Sequence, residues 1–339
     1  MDLVYTLVQE VGRGSYGVVF EGRSACRGHW ENECWERVAI KRLPCSSPES
    51  MELNLQELWA LRAARRKHPN VIALHQCFLQ TGPKTFKRLD IASGSLPFDL
   101  VENTLKGRVQ HPRAEEDPQS HSSVLWLVME FCEEGDLNRY LLSRPPSAHL
   151  NRSIMIQLSS AVAFLHAHHI VHRDLKPDNV LVSSSTSGPI IKVADFGLSR
   201  VTQSIGEVTQ QCFSSTCGSE FYMAPEVWDG HYTAKADIFS LGVLFWAILE
   251  RITYFEDTSG KELLGAYVCQ GRRLVPIGEA LHENPRLQFH IPLKVKRAVS
   301  TELRTLLQDM LAVDPDQRPE AIQLEKQVRQ AMARKKTSL

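Results

Sequence analysis

The sequence predicts an α+β chain folded as two lobes, the first rich in strands and the second mainly helical. Three observations carry this expectation. Residues 4–43 hold β-prone runs separated by Gly-rich or polar breaks. After residue 132 the apolar residues recur at helical spacing. Strands gathered in the first part and helices in the second, with no internal repeat, argue for two α+β-type lobes rather than a regular βαβ layout. The pattern puts the first lobe at 1–132, with an insert at about 80–123, and the second at 133–339.

Tyr5 to Val11, Gly17 to Gly22 and Arg37 to Leu43 read as strands. Ser47-Pro48 reads as a helix start, because proline is tolerated at the first helical position. Leu55, Leu58 and Leu61 continue it with one apolar stripe. Val71 to Leu79 and Val124 to Phe131 are again strand-like. Within the insert between them, Phe98 to Val101 suggests a short strand, and the polar stretch Arg108 to Ser123 suggests a loop. In the second lobe, Ile154, Leu158, Val162 and Leu165 form one helical face, and Leu303, Leu306, Leu307, Met310 and Leu311 another.

Composition narrows the function classes. The chain has 339 residues and 39 Lys+Arg against 39 Asp+Glu, with 43% hydrophobic residues. That is enough apolar material for a real core and excludes a wholly disordered chain. The neutral sum argues against a protein built to bind nucleic acid. It conceals a split: residues 133–250 carry 8 basic against 12 acidic residues, and residues 251–339 carry 15 against 11. The N-terminus shows no signal-peptide pattern, and the apolar run Leu241 to Leu249 is too short to span a bilayer. The eight cysteines are scattered without a CxxC pair, so reduced intracellular thiols are expected, in cytosol or nucleus.

Five motifs carry chemistry. Gly12-Arg13-Gly14-Ser15-Tyr16-Gly17 would let backbone amides approach phosphates closely. Dinucleotide folds also use this spacing, but there a helix follows. Here Val18 to Glu21 continues as a strand, so the glycines belong to a hairpin. In Val38-Ala39-Ile40-Lys41 a strand ends on an ammonium that could reach phosphate oxygens. A surface lysine is the other reading of that motif. Glu57 on the following helix is its candidate partner, eleven residues before His68-Pro69-Asn70, with Glu52 as the rival on another face.

The third motif is His172-Arg173-Asp174-Leu175-Lys176-Pro177-Asp178-Asn179. A carboxylate can orient a hydroxyl and take its proton. A lysine two residues on can neutralise a transferring phosphoryl group, and Asn179 supplies a neutral oxygen for Mg²⁺. Asp195-Phe196-Gly197 follows sixteen residues after Asn179, at the end of a β-prone run. The fifth is Met223-Ala224-Pro225-Glu226, with Asp237 opening an apolar helix and Arg318 as a candidate partner for Glu226.

On these motifs the chain resembles the eukaryotic protein kinases from about Tyr5 to Met332. The resemblance implies a bilobal protein-kinase fold and ATP-dependent phosphorylation of Ser/Thr hydroxyls on protein substrates, with Mg²⁺. Residue by residue, it makes Gly12, Gly14 and Gly17 a nucleotide lid. Val19, Ala39 and Leu181 would sandwich adenine, and Lys41, paired with Glu57, would hold the α- and β-phosphates. Met129 would be the gatekeeper, and Glu130 to Cys132 the hinge. Asp174 would be the base with Lys176 beside it, and Asn179 and Asp195 would hold Mg²⁺. Ser219 stands where such kinases usually have Thr, and Glu220 where many have Pro. Arg173 implies control by a phosphate on the activation segment, with Ser215 first and Thr216 second as its site.

A closer resemblance is to the PDLIM-interacting, Clik-type kinases. It rests on residues 10–17, on Leu58-Trp59-Ala60-Leu61 and on Ala224 through Lys235. Further support comes from Glu250 to Thr253, Lys261 to Gly265 and Leu100 to Gly107 within the insert. It implies nuclear localisation and partners carrying PDZ and LIM domains.

Three further features have bland readings beside sharper ones. His166, His168, His169 and His172 form a metal-like cluster or simply end a helix. Arg62, Arg65, Arg66 and Lys67 form a docking patch or a solvated helix terminus. Thr337-Ser338-Leu339 has the pattern of a PDZ ligand.

Overall fold

The computed structural model describes residues 3–14, 17–26, 35–64, 68–89, 123–201, 220–231, 233–256, 260–271, 273–287 and 300–332. The chain divides into two compact units, residues 1–66 with 72–131, and residues 67–71 with 132–339. The division thus falls between Phe131 and Cys132, and the short segment Lys67–Val71 joins the second unit.

The first unit is a six-stranded antiparallel sheet with one described helix. Its strands are β1 (Leu3–Gly14), β2 (Gly17–Cys26), β3 (Glu36–Cys45), β4 (Leu74–Gly82), β5 (Thr85–Leu89) and β6 (Ser123–Glu130). They lie in the order β1-β2-β3-β6-β4-β5. The strands run longer than the apolar runs suggest, because ladder bonds use only the backbone. β1 passes through two register shifts and still pairs up to Gly14 opposite Gly17.

Helix α1 (Pro48–Ala63) starts at Ser47, whose side chain accepts from Ser50 N–H while the Ser50 side chain accepts from Ser47 N–H. Its Leu58 and Leu61 are buried. Asn54 donates to the Pro44 carbonyl at 3.0 Å, tying the helix to the end of β3.

Two expectations change here. β4 begins at Leu74 rather than Val71, because Val71 is drawn into a parallel bridge with Val193 in the second unit. The insert does not start at Gln80: the chain turns after Gly82 and returns as β5, pairing Gln80 with Phe86. Phe98 to Val101 lies outside the described residues.

The second unit is mainly helical: α2 (Leu137–Leu142), α3 (Ala148–Ala167), α4 (Ala234–Glu250), α5 (Ile277–Glu283), α6 (Thr301–Met310) and α7 (Ala321–Ala331). Short two-stranded pairs accompany them: β7 (Ile170–Val171) with β10 (Arg200–Val201), β8 (Val180–Ser183) with β9 (Ile190–Val193), β11 (Thr253–Glu256) with β12 (Lys261–Leu264), and β13 (Tyr267–Gln270) with β14 (Arg273–Pro276).

The core sits on α3 and α4. Ile154, Leu158, Val162 and Leu165 on α3 are all fully buried, each contributing about 1.5–3 kcal/mol relative to exposure. The run Leu241 to Ile248 is buried inside α4 in the same way. No described helix is long and apolar enough to cross a membrane. Gly242 lets α4 approach α6 closely, since a Cβ there would lie 3.0 Å from the Met310 Cβ.

Candidate active site

In the first unit, the β1–β2 hairpin presents the glycines. A Cβ on Gly17 would lie 2.4 Å from the Arg42 carbonyl, so that glycine is required by the close approach of β3. Among the described residues, a Cβ on Gly12 or Gly14 would meet nothing within 4 Å. The described packing therefore does not require glycine at those two positions, whereas a ligand approaching the backbone would. Val19 pairs with Gly12 on one side and Lys41 on the other, and Ala39 pairs with Met129 on β6.

Lys41 Nζ lies 2.6 Å from Glu57 Oε1, with both side chains nearly buried. Glu52 is exposed and accepts from Gln56 instead. A buried ion pair adds little net stability against an apolar pair, but losing one partner typically costs about 3–5 kcal/mol. Met129 is buried, and the Glu130 carboxylate accepts the Ala73 N–H at 2.7 Å, pinning the end of β6 to the start of β4.

In the second unit, Cys132 is buried and its carbonyl accepts the Gly135 N–H. Leu181 is half-buried on β8. The loop from His172 to Lys176 carries polar side chains that meet each other and their neighbour Asn179. Asp174 Oδ2 lies 2.9 Å from Lys176 Nζ and accepts Asn179 Nδ2 at 2.7 Å. Asn179 Nδ2 also donates to the Asp174 carbonyl at 2.9 Å. Two acceptors on one side fix the orientation of the Asn179 amide, which directs its Oδ1 away from Asp174.

Asp195 follows β9 with an exposed side chain and a left-handed φ of 57°. Asn179 Oδ1 and the Asp195 carboxylate are hard oxygen donors, which suits Mg²⁺ and not a soft metal. Two protein oxygens match an ion that completes its shell with phosphate and water. Among the described residues, no three His, Cys, Asp or Glu side chains gather as a metal site. The histidine cluster is divided among separate tasks: His166 contacts Asp237, His168 contacts the Phe164 carbonyl, and His172 contacts the Ala194 carbonyl.

Asp237, at the start of α4, is the anchor of this loop. It accepts the backbone N–H of His172 and of Arg173, both at 2.8 Å, and His166 Nε2 at 2.9 Å. Burial alone would raise its carboxyl. The hydrogen bond and charge of His166, the charge of His172 and the His172 N–H outweigh burial and hold it below the usual carboxylate range. Arg173 has a left-handed φ of 71°, a strained value for a non-glycine residue, and its N–H is held by this anion.

Glu226, in the turn Pro225–Asp229, receives Arg318 Nη1 at 2.6 Å and Nη2 at 2.8 Å. The Arg318 side chain is completely buried, and its remaining donors go to the carbonyls of Ala312, Val313 and Lys235. All five guanidinium N–H groups are thus satisfied. Ser215, Thr216 and Ser219 lie outside the described residues.

Sequence reasoning missed His166 as the partner of Asp237, and it missed Gln157 entirely. The first had a signal, a histidine six residues before His172 on the same side of the loop. The second had none, because a glutamine on a helix is ordinarily a solvated residue.

Residues 5–328 match the family described as protein kinase domain. The serine/threonine-protein kinase 33 of Mus musculus is 30% identical over 328 residues, covering 94% of this chain and 53% of its own length. The chain therefore spans about half the length of this curated relative. The hairpin glycines, the Lys41–Glu57 pair and the Asp174–Lys176–Asn179 loop stand within the matched region, and the chain belongs to the protein kinase domain family.

Proposed function

We propose that the chain is a serine/threonine protein kinase, transferring the γ-phosphoryl group of ATP to Ser or Thr hydroxyls of protein substrates with Mg²⁺. One observation carries this reading: Asp174, Lys176 and Asn179 form a single hydrogen-bonded set on one loop. Asp174 orients the acceptor hydroxyl and takes its proton. Lys176, 2.9 Å away, offers positive charge to the moving phosphoryl group. Asn179 and Asp195 hold Mg²⁺, which when bound offsets phosphate charge. Lys41 binds the α- and β-phosphates, with Glu57 keeping its ammonium in place.

The name of the mouse relative and the lysine at 176 both support Ser/Thr acceptors. The test is incubation of the purified chain with labelled ATP and a peptide library, beside Asp174→Asn. Labelling by the wild type that is lost in the variant supports the mechanism and reveals the substrate motif. Equal labelling by both refutes it.

Four finer readings rest on sequence resemblance. The segments at 10–17, 58–61 and 224–235 support a Clik-type kinase, with nuclear localisation and partners that carry PDZ or LIM domains. Arg173 beside the catalytic aspartate supports control by phosphate on Ser215, with Thr216 as the alternate. Full activity in a Ser215→Ala, Thr216→Ala double variant refutes that control.

A further inference from the structure

Among the described strands, β9 pairs only with β8, along one edge. Its other edge is closed by a single parallel bridge, Val71 opposite Val193, and by two side-chain amides in place of a strand. The Asn70 carbonyl accepts the Val193 N–H at 2.9 Å. Asn70 Nδ2 donates to the Ile191 carbonyl at 2.9 Å and to Gln157 Oε1 at 2.7 Å. Gln157 Oε1 also accepts the Ile191 N–H at 2.9 Å, and its Nε2 donates to the Pro189 carbonyl at 3.0 Å and to Ser153 Oγ at 3.1 Å.

Every polar atom of the Gln157 amide is therefore committed, three of its bonds to the β9 segment and to Asn70. Asn70 is itself set by its N–H, which donates to His68 Nδ1 at 3.1 Å, while the His68 ring stacks on Phe164.

The consequence lies two residues beyond Val193. The Ala194 N–H donates to the Asn179 carbonyl at 2.9 Å, and Asp195 follows in its left-handed conformation. A β9 held on both edges resists sliding and rotation, so the backbone that carries Asp195 is held beside Asn179. Without the Gln157 amide that edge keeps the Val71 bridge and the Asn70 bonds, but the Ile191 N–H and the Pro189 carbonyl lose the partner they have now.

We propose that Gln157 is a positioning residue for Asp195: from α3 it clamps the outer edge of β9 and so sets the spacing of the two oxygen donors for the divalent cation. This rests on the reading that Asn179 and Asp195 hold that cation. It assigns to a side chain with no contact to either ligand a part in metal affinity, as outer partners of metal ligands commonly have.

The test uses the full chain with Gln157→Met, which keeps the shape and removes every bond, and Gln157→Glu, which keeps the acceptor for Ile191 but not the donor to Pro189. Amide hydrogen exchange without ligand reads the clamp. Mn²⁺ titration in the presence of a non-hydrolysable ATP analogue reads the metal. Gln157→Met is expected to lose protection at Ile191 and to weaken Mn²⁺ binding about tenfold. Gln157→Glu is expected to fall between that variant and the wild type. Should Gln157→Met not fold, Gln157→Glu alone decides.

Wild-type Mn²⁺ affinity in the folded variants, with or without faster exchange, overturns the proposal and leaves Gln157 a structural residue. Failure of the wild type to bind Mn²⁺ with the nucleotide refutes the metal reading itself, and this proposal with it.

Discussion

Replacing Asp237 by Asn removes one negative charge from the centre of the second unit and converts one acceptor oxygen into a donor. Asp237 is 1% exposed and receives three donors on two oxygens. The best placement of the new amide keeps its oxygen toward His172 N–H and His166, as Oδ2 is now. Its nitrogen then faces the Arg173 N–H, donor against donor.

That placement loses one charge-assisted bond, about 1.5–3 kcal/mol, and leaves a buried N–H unpaired, about 1–3 kcal/mol. The sum, about 2.5–6 kcal/mol, takes a large share of the 5–15 kcal/mol typical of a domain. Arg173 then loses the anion that holds its left-handed backbone, whose strain is about 1–3 kcal/mol, and Asp174 is displaced with it. Urea unfolding of the full chain, read as the midpoint shift at constant slope, measures the loss. A loss below about 1 kcal/mol would mean that the loop does not hang on this carboxylate, and the reasoning fails.

Three other outcomes follow from the same geometry. Because the folded carboxyl of Asp237 is held below its ordinary value, its stabilisation is complete above about pH 4 and is lost as pH falls from there through the folded value; the stability gap between wild type and Asp237→Asn should close over that acid range, and a constant gap down to the lowest pH would contradict it. Gly17→Ala should lower the melting temperature by overpacking against the Arg42 carbonyl, at a cost of about 1–3 kcal/mol, whereas Gly14→Ala should leave it unchanged and weaken nucleotide binding; equal melting shifts for the two would be the wrong result. Arg318→Leu strands the Glu226 carboxylate, for an expected loss of about 3–5 kcal/mol by thermal or chemical unfolding, and adding Glu226→Gln should recover part of it.

Much of the site was legible because its chemistry demands particular residue types at short spacings. Asp174, Lys176 and Asn179 lie within six consecutive positions, and a loop that short brings them together. Lys41 and Glu57 were legible for a different reason: a strand followed by a helix, with Glu57 eleven residues before His68-Pro69-Asn70 and Glu52 on another face. The helical faces of α3 and α6 followed from periodicity, since burial of those leucines is local in origin and needs no knowledge of the partner. The strand ends were less legible. Backbone pairing extends β1 through Gly14 without any side-chain signal, and Val71 leaves β4 for a partner far along the chain.

The sequence by itself determined that this is a two-part α+β chain of the kinase type, and which side chains are candidates for its chemistry, because those demands are written in residue identity and near spacing. Only the tertiary structure decided what holds them in place. Asp237 gathers His166, His172 and Arg173 from a separate helix, Arg318 shares its five donors among residues from three segments, and Gln157 with Asn70 closes an edge of β9. Buried polar groups must be satisfied, but by which partner is a question of three-dimensional proximity. Distances along the chain of 64 or 92 residues carry no local trace of it.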